Sequence, residues 1–409
     1  MKKAFYLITL SLSFMVISCD LTVTGQDWPQ WRGMNRDGKV EGFKAPDKWP
    51  SELKVQWKIK VGYGDATPAL VNGKLFVFTR IGGNEVLQCL DASSGEKIWE
   101  NSYPADEVTG PAARHPGPRS TPTVSGGKVA IIGATGIISC IDAASGKLLW
   151  RNNEYENLVP VYFTGMSPII LENKCIAHLG ESDRSAVIAF DLNSGNILWK
   201  HEGEAPAYGS PDEMLFDNEK MVVLQTDSML IGLSAGNGEK LWEIPAPPES
   251  RYYNSSSPVI DGHRIFYSGQ GHGTGAVMIS KEEDSYSVNE LWRNSEYGTN
   301  YNTPVLKDGY LFGLNERGYL FCLDASDGKL AWADTTRHRD FGSIIDIGSE
   351  LIALPATSNL IVYQPDSKEY SQKAFIPVSE TPIYAHPVLT GNKIYIKNEE
   401  SLILYITGK

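Results

Sequence analysis

Arg114, His115 and Arg119 share the stretch RHPGPR, in which two prolines and a glycine stiffen the chain. Tyr208, Tyr253, Asn254, His272, Asn302, Glu316, Arg337, His338 and His386 follow at wide intervals rather than in one motif. Arginine and tyrosine anchor interfaces more than other types, and histidine titrates near neutrality. Their chemistry is therefore recognition, with proton transfer only where loops bring such groups together. No two histidines have the local spacing of a metal site, and the chain reads as metal-free. No Gly-x-Ser-x-Gly elbow, P-loop or dinucleotide fingerprint stands between a strand and a helix. No pair of catalytic carboxylates can be picked out either. Any site must be assembled by elements distant in sequence.

Those elements repeat. CLDASSGEKIW (Cys89–Trp99) recurs as CIDAASGKLLW, AFDLNSGNILW, GLSAGNGEKLW and CLDASDGKLAW, ending at Trp150, Trp199, Trp242 and Trp332. With Trp57 and Trp292 the tryptophans lie 40 to 51 residues apart, the length of a four-stranded propeller blade. Each unit opens on Ser or Thr followed by Pro, as at Thr67, Thr121, Ser167, Ser210, Ser257 and Thr303. Between these landmarks run short β-rich segments separated by Gly and Asn/Asp turns, the hairpin pattern. The aspartate caps the third turn and the glycine supplies its positive φ. The tryptophan lies on the outermost strand, where it buries against the next blade and covers an edge.

A seventh, degenerate unit spans 341–375. An eighth, from His386, has three strands at most. LKVQWKIK (Leu53–Lys60) supplies the missing fourth, with Trp57 as its tryptophan. The predicted fold is all-β: an eight-bladed β-propeller of four-stranded antiparallel blades, closed by an N-terminal strand. All the site residues named above fall on the face that carries the inter-blade connections and second turns, which forms a concave funnel. The opposite face has short, plain turns such as Asn72-Gly73-Lys74.

The formal charge of -12 excludes a general nucleic-acid binder. Lys2 and Lys3 precede an apolar run to Ile17 that is too short to span a membrane and reads as a secretory signal. Cys19 follows it in a context resembling the bacterial lipobox. Residues 1–18 are then a lipoprotein leader, 19–52 a lipid-anchor tether with an N-terminal extension, and 53–409 the propeller. An ordinary signal peptide with a chance cysteine is the alternative. Cys89, Cys140 and Cys322 hold equivalent places in separate units and read as three small buried hydrophobes, although an exported protein could oxidise its cysteines.

The pattern Asp-x-x-(Ser/Asn/Asp)-Gly-x-x-x-Trp resembles the tryptophan-docking motif of the pyrroloquinoline-quinone (PQQ) repeat superfamily, over about Leu53 to Lys409. DWPQWRGMNRDG (Asp27–Gly38) is similar to the segment preceding the propeller in exported members. The superfamily holds quinoprotein dehydrogenases and also BamB-like lipoproteins of outer-membrane assembly, which lack cofactor and catalysis. The chain has no adjacent cysteines of the quinoprotein alcohol dehydrogenase kind, and its insertions are short. The resemblance implies a lipid-anchored, periplasm-facing, monomeric scaffold of the bacterial cell envelope. It would engage a protein partner or small ligand at the funnel without a cofactor. The alternative is a dehydrogenase of alcohols or sugars using PQQ with calcium.

Overall fold

The computed structural model describes residues 27–249, 253–283 and 285–408. The leader and Cys19 lie outside the described residues, as do Arg251, Tyr252 and Asp284. The described chain forms eight four-stranded antiparallel sheets and one short 3-10 turn, Gly110–Ala112. In blade one the strands run outward in chain order: Ala69–Val71, Lys74–Ile81, Asn84–Asp91, Lys97–Pro104. The next six blades repeat that order. The eighth joins Val388–Thr390, Lys393–Lys397 and Ser401–Ile406 to the N-terminal strand Lys54–Lys60, which pairs antiparallel with Ser401–Ile406. The ring therefore closes by joining the two ends of the chain.

The repeated turn has a double reason for its glycine. Asp91 Oδ1 accepts the backbone N–H of Ser93 and of Ser94 at 2.9 and 3.0 Å, and Gly95 follows at φ 76°. The glycine also lies against the tryptophan of the preceding blade. A Cβ at Gly146 would stand 2.6 Å from the Trp99 ring, and one at Gly195 2.6 Å from Trp150. Each indole N–H then reaches across the seam to a backbone carbonyl. Trp57 donates to Ser93, Trp99 to Ala143, Trp150 to Leu192, Trp199 to Ala235, Trp292 to Ala325 and Trp332 to Asp366.

Trp242 departs from this pattern. It is buried, but its N–H points to Met221 Sδ of its own blade. In blade five the third turn is replaced by a long hairpin, Gly273–Glu282 with Ser285–Asn294, so no Asp-Gly turn receives the ring. The hairpin leans on blade four through Tyr286, whose hydroxyl donates to Glu219 Oε2 at 2.6 Å.

The Ser/Thr-Pro landmark builds a second set of seams, around the axis. Thr121 N–H donates to Ser167 Oγ, Ser167 N–H to Ser210 Oγ, Ser210 N–H to Ser257 Oγ, and Ser257 N–H to Thr303 Oγ1. His386 N–H donates to Thr67 Oγ1 across the closure. Each hydroxyl thus satisfies a buried donor of the neighbouring blade, worth about 1 kcal/mol net apiece.

From Asp27 onward the extension is no slack tether. It enters from the plain face, where Trp28 pairs with Leu70 of blade one. Trp31 reaches the hydroxyl belt, donating to Ser257 Oγ at 3.0 Å and packing on the His386 ring at 4.4 Å. Arg32, fully buried, donates to the carbonyls of Thr303 and Pro304, both at 2.8 Å. Arg36 donates to Pro168 O of blade three. The chain then returns to the plain end, where Val40 N–H meets Asp346 O and Lys44 N–H meets Gly391 O. Residues 27–44 therefore plug the axial channel, and Trp49 continues the same core outward.

Candidate functional site

The positions that frame the funnel mouth share one register. Two residues before each Ser/Thr (or His386) that begins an innermost strand stand Asp65, Arg119, Gly165, Tyr208, Ser255, Tyr301, Phe341 and Tyr384. Because the belt fixes the residue that follows, these side chains are carried round the axis at one height. Tyr301 stacks on Phe341 with ring centroids 3.8 Å apart, and Phe341 meets Tyr384 edge-on at 5.2 Å. Tyr384 meets the His115 ring at 4.7 Å, and His115 Nδ1 lies 2.6 Å from Asp65 Oδ2. Tyr162, Tyr208 and Tyr253 form a second group, mutually edge-on at 5.1 to 6.2 Å. Arg119 lies between the groups. Its Nη2 donates to His115 O, and burial lowers its pKa against the pull of Asp65 and the Tyr208 oxygen.

Beside the second group is a cavity of about 410 Å³ lined by Val159–Val161, Glu181, Pro206, Tyr208, Asp227, Pro248 and Tyr253. A larger one, about 600 Å³, is lined by Glu296, Tyr297, Glu316, Arg317, Tyr319 and Asp334. Arg114 and Arg337 are exposed on the rim, and Arg337 Nε donates to Arg317 O.

Five of the residues singled out in the sequence are withdrawn from this surface. Asn254 is fully buried and its Nδ2 donates to Thr226 O and Ala246 O, while its Oδ1 faces His272 Nε2 at 3.2 Å. Asn302 does not reach the channel mouth. It clasps Leu314, donating to its carbonyl and accepting its N–H. His338 is buried against Asp334 at 3.2 Å. His386 is buried under Trp31, and burial lowers its pKa to about 3. In each case the loop closes over the side chain and spends it on backbone or core.

Other groups were not legible. Lys397 is 1% exposed and donates to the carbonyls of Gly64, Asn398 and Glu399, which pins the closing seam. Burial lowers its pKa to about 8. Glu85 accepts from the Tyr103 hydroxyl at 2.6 Å and from Ala134 N–H at 2.8 Å, and burial raises its pKa. Nothing in a strand pattern marks either residue, though a charged residue inside an otherwise apolar strand is the one available signal.

Calcium takes about six to eight oxygen ligands. Among the described residues no group of three or more His, Cys, Asp or Glu side chains could hold a metal ion. Asp65 is engaged by His115, and Trp31 and Arg32 of the chain itself fill the space behind the mouth.

Comparison with known proteins agrees with the architecture. The outer membrane protein assembly factor BamB of Yersinia pestis is 22% identical over 318 residues, which take in 75% of this chain and 63% of that protein. The match thus spans just under two thirds of that relative's length. Among solved structures, BamB from Moraxella catarrhalis aligns with a TM-score of 0.61 at 13% identity, covering 87% of this chain and 99% of that one. A europium-containing methanol dehydrogenase aligns with a TM-score of 0.72 at 12% identity, covering 94% and 98%. Likeness at such identity is one of fold, which an assembly factor and an oxidoreductase share. Residues 82–334, from the second turn of blade one to the end of blade six, match the model of the family described as outer membrane protein assembly factor BamB, and the chain belongs to that family.

Proposed function

We propose that the protein is a lipid-anchored scaffold of the bacterial cell envelope, tethered through Cys19, and that it holds a protein partner of outer-membrane assembly on its funnel face. The observation that carries this reading is the mouth itself. Aromatic rings and Arg119 are presented on a rigid belt, while the channel behind them is plugged by residues 27–44. A shallow aromatic rim with arginine is the composition of an interface centre. Membership of the BamB family favours the same conclusion.

The test uses cells lacking the protein. Complementation by an Arg119→Ala/Tyr253→Ala double variant should fail to restore outer-membrane β-barrel protein levels. A Lys74→Ala/Lys128→Ala double variant, altered on the plain face, should restore them. The opposite pattern would place the working surface on the plain face. The scaffold acts without a bound quinone in this reading. A stoichiometric absorption change on adding PQQ and calcium, with dye-linked alcohol or sugar oxidation, would instead make it a dehydrogenase.

A further inference from the structure

The described chain begins at a fixed place. Asp27 Oδ1 accepts the N–H of Asn72 at 2.9 Å, and Trp28 and Leu70 exchange backbone hydrogen bonds at 2.7 and 2.9 Å. Asn72 lies in the first turn of blade one, on the plain face and on the innermost hairpin. The chain therefore enters the propeller at the plain end, close to the axis.

Cys19 precedes Asp27 by eight peptide steps. A fully extended chain spans at most about 3.3–3.6 Å per step, so Cys19 lies within roughly 26–29 Å of Asp27. The way through the channel is filled by Trp31, Arg32 and Arg36. The way round the outside must cross a four-stranded blade and climb a strand such as Lys174–Glu181, eight residues long. At about 4.8 Å between strands and 3.3 Å per residue, that route is roughly 40 Å. A lipid on Cys19 cannot reach the funnel side.

We infer that the plain face lies against the lipid headgroups and that the funnel mouth opens away from the membrane. The lipid surface is thus the partner of the plain face, and whatever binds the mouth arrives from the aqueous side. This orientation rests on the anchoring of Cys19 proposed above.

The experiment places one fluorescent donor on each face. Asn218→Cys lies in the first turn of blade four, on the plain side, and Thr336→Cys in the connection between blades six and seven, on the funnel side; both positions are exposed. Cys89, Cys140, Cys175 and Cys322 are fully buried and leave labelling selective. The acylated variants are inserted into vesicles carrying headgroup-labelled acceptor lipid. Energy transfer should be several-fold stronger from position 218 than from position 336. A flexible insert of some twenty residues after Asp20 should bring the two signals together. Equal transfer, or stronger transfer from 336, in protein whose N-terminal peptide carries acyl chains by mass spectrometry overturns the orientation alone. An unacylated N-terminus overturns the anchoring and the orientation with it.

Discussion

Buried histidines make the fold sensitive to acid. His178 Nε2 faces Glu204 O at 2.6 Å, His272 meets Asn254, and His386 lies under Trp31. Burial lowers His178 and His272 to about 4 and His386 to about 3. These folded values lie below the ~6.5 of an unhindered imidazole, so the unfolded chain takes up the extra protons. Their stabilisation is full above about pH 6.5 and is lost as the pH falls towards 4, by up to about 1.4 kcal/mol per pH unit for each. Asp212 has the opposite sign. Burial raises its carboxyl to about 7 against the pull of Arg36, so the folded state holds its proton and gains stability as pH falls from 7. Glu85 and Asp37 are raised in the same sense as Asp212, and His201 is lowered with the other histidines; the imidazoles, whose unfolded value of ~6.5 lies inside the range from pH 7.5 to pH 5, give a net loss. The urea midpoint should fall between pH 7.5 and pH 5, and His178→Gln should flatten that slope. A midpoint that holds or rises at pH 5 would mean the imidazoles are hydrated in the folded state.

Within a blade the decisive contacts are local in sequence, whereas at the axis they are not. The Asp-Gly turn and the tryptophan are legible because turn chemistry and strand alternation act over a few residues. Trp150, 8% exposed, has its N–H on Leu192 O and its ring against Gly195. Trp150→Ala should cost ~3–5 kcal/mol in urea unfolding, the range for a large buried aromatic. A cost below about 1 kcal/mol would show the seam does not depend on it. The plug could not be foreseen in the same way. Arginine is seldom buried without partners, and nothing local in DWPQWRGMNRDG marks Arg32 or Arg36 for the interior. Their partners in the blades are carbonyls more than a hundred residues away, invisible to any local pattern. Asn254 and Asn302 show the converse limit: a loop position says nothing about whether an amide faces water or folds back on the chain. Arg32 serves the carbonyls of Arg36, Asp37, Thr303 and Pro304. Arg32→Ala strands these acceptors, each at about 1–3 kcal/mol where water cannot replace the donor. A loss of several kcal/mol is expected, and one under about 1 kcal/mol would mean the channel is wet.

The whole ring is held shut twice by the same N-terminal stretch, once at the rim and once at the axis. At the rim, Lys54–Lys60 covers the edge of Ser401–Ile406, and Trp57 carries the seam on to blade one. At the axis, residues 27–44 bond to blades one, two, three, five, six, seven and eight, so the plug resists radial spreading wherever the ring opens. The two locks differ in kind. The clasp removes an unpaired β-edge, which otherwise recruits another chain. The plug fills a channel and seats Arg32 and Arg36 on blade carbonyls, and its loss leaves every blade edge paired. Two truncations separate them. A fragment from Ala45 keeps the clasp and lacks the plug; it should stay monomeric in size-exclusion chromatography, with a lower urea midpoint and a single cooperative transition. A fragment from Tyr63 lacks both and exposes the strand of blade eight; it should aggregate or unfold without cooperativity. If the Tyr63 fragment is a stable monomer, the eighth blade does not need its fourth strand and the ring is not closed by the N-terminus. If the Ala45 fragment aggregates as readily, the plug rather than the clasp holds the ring together.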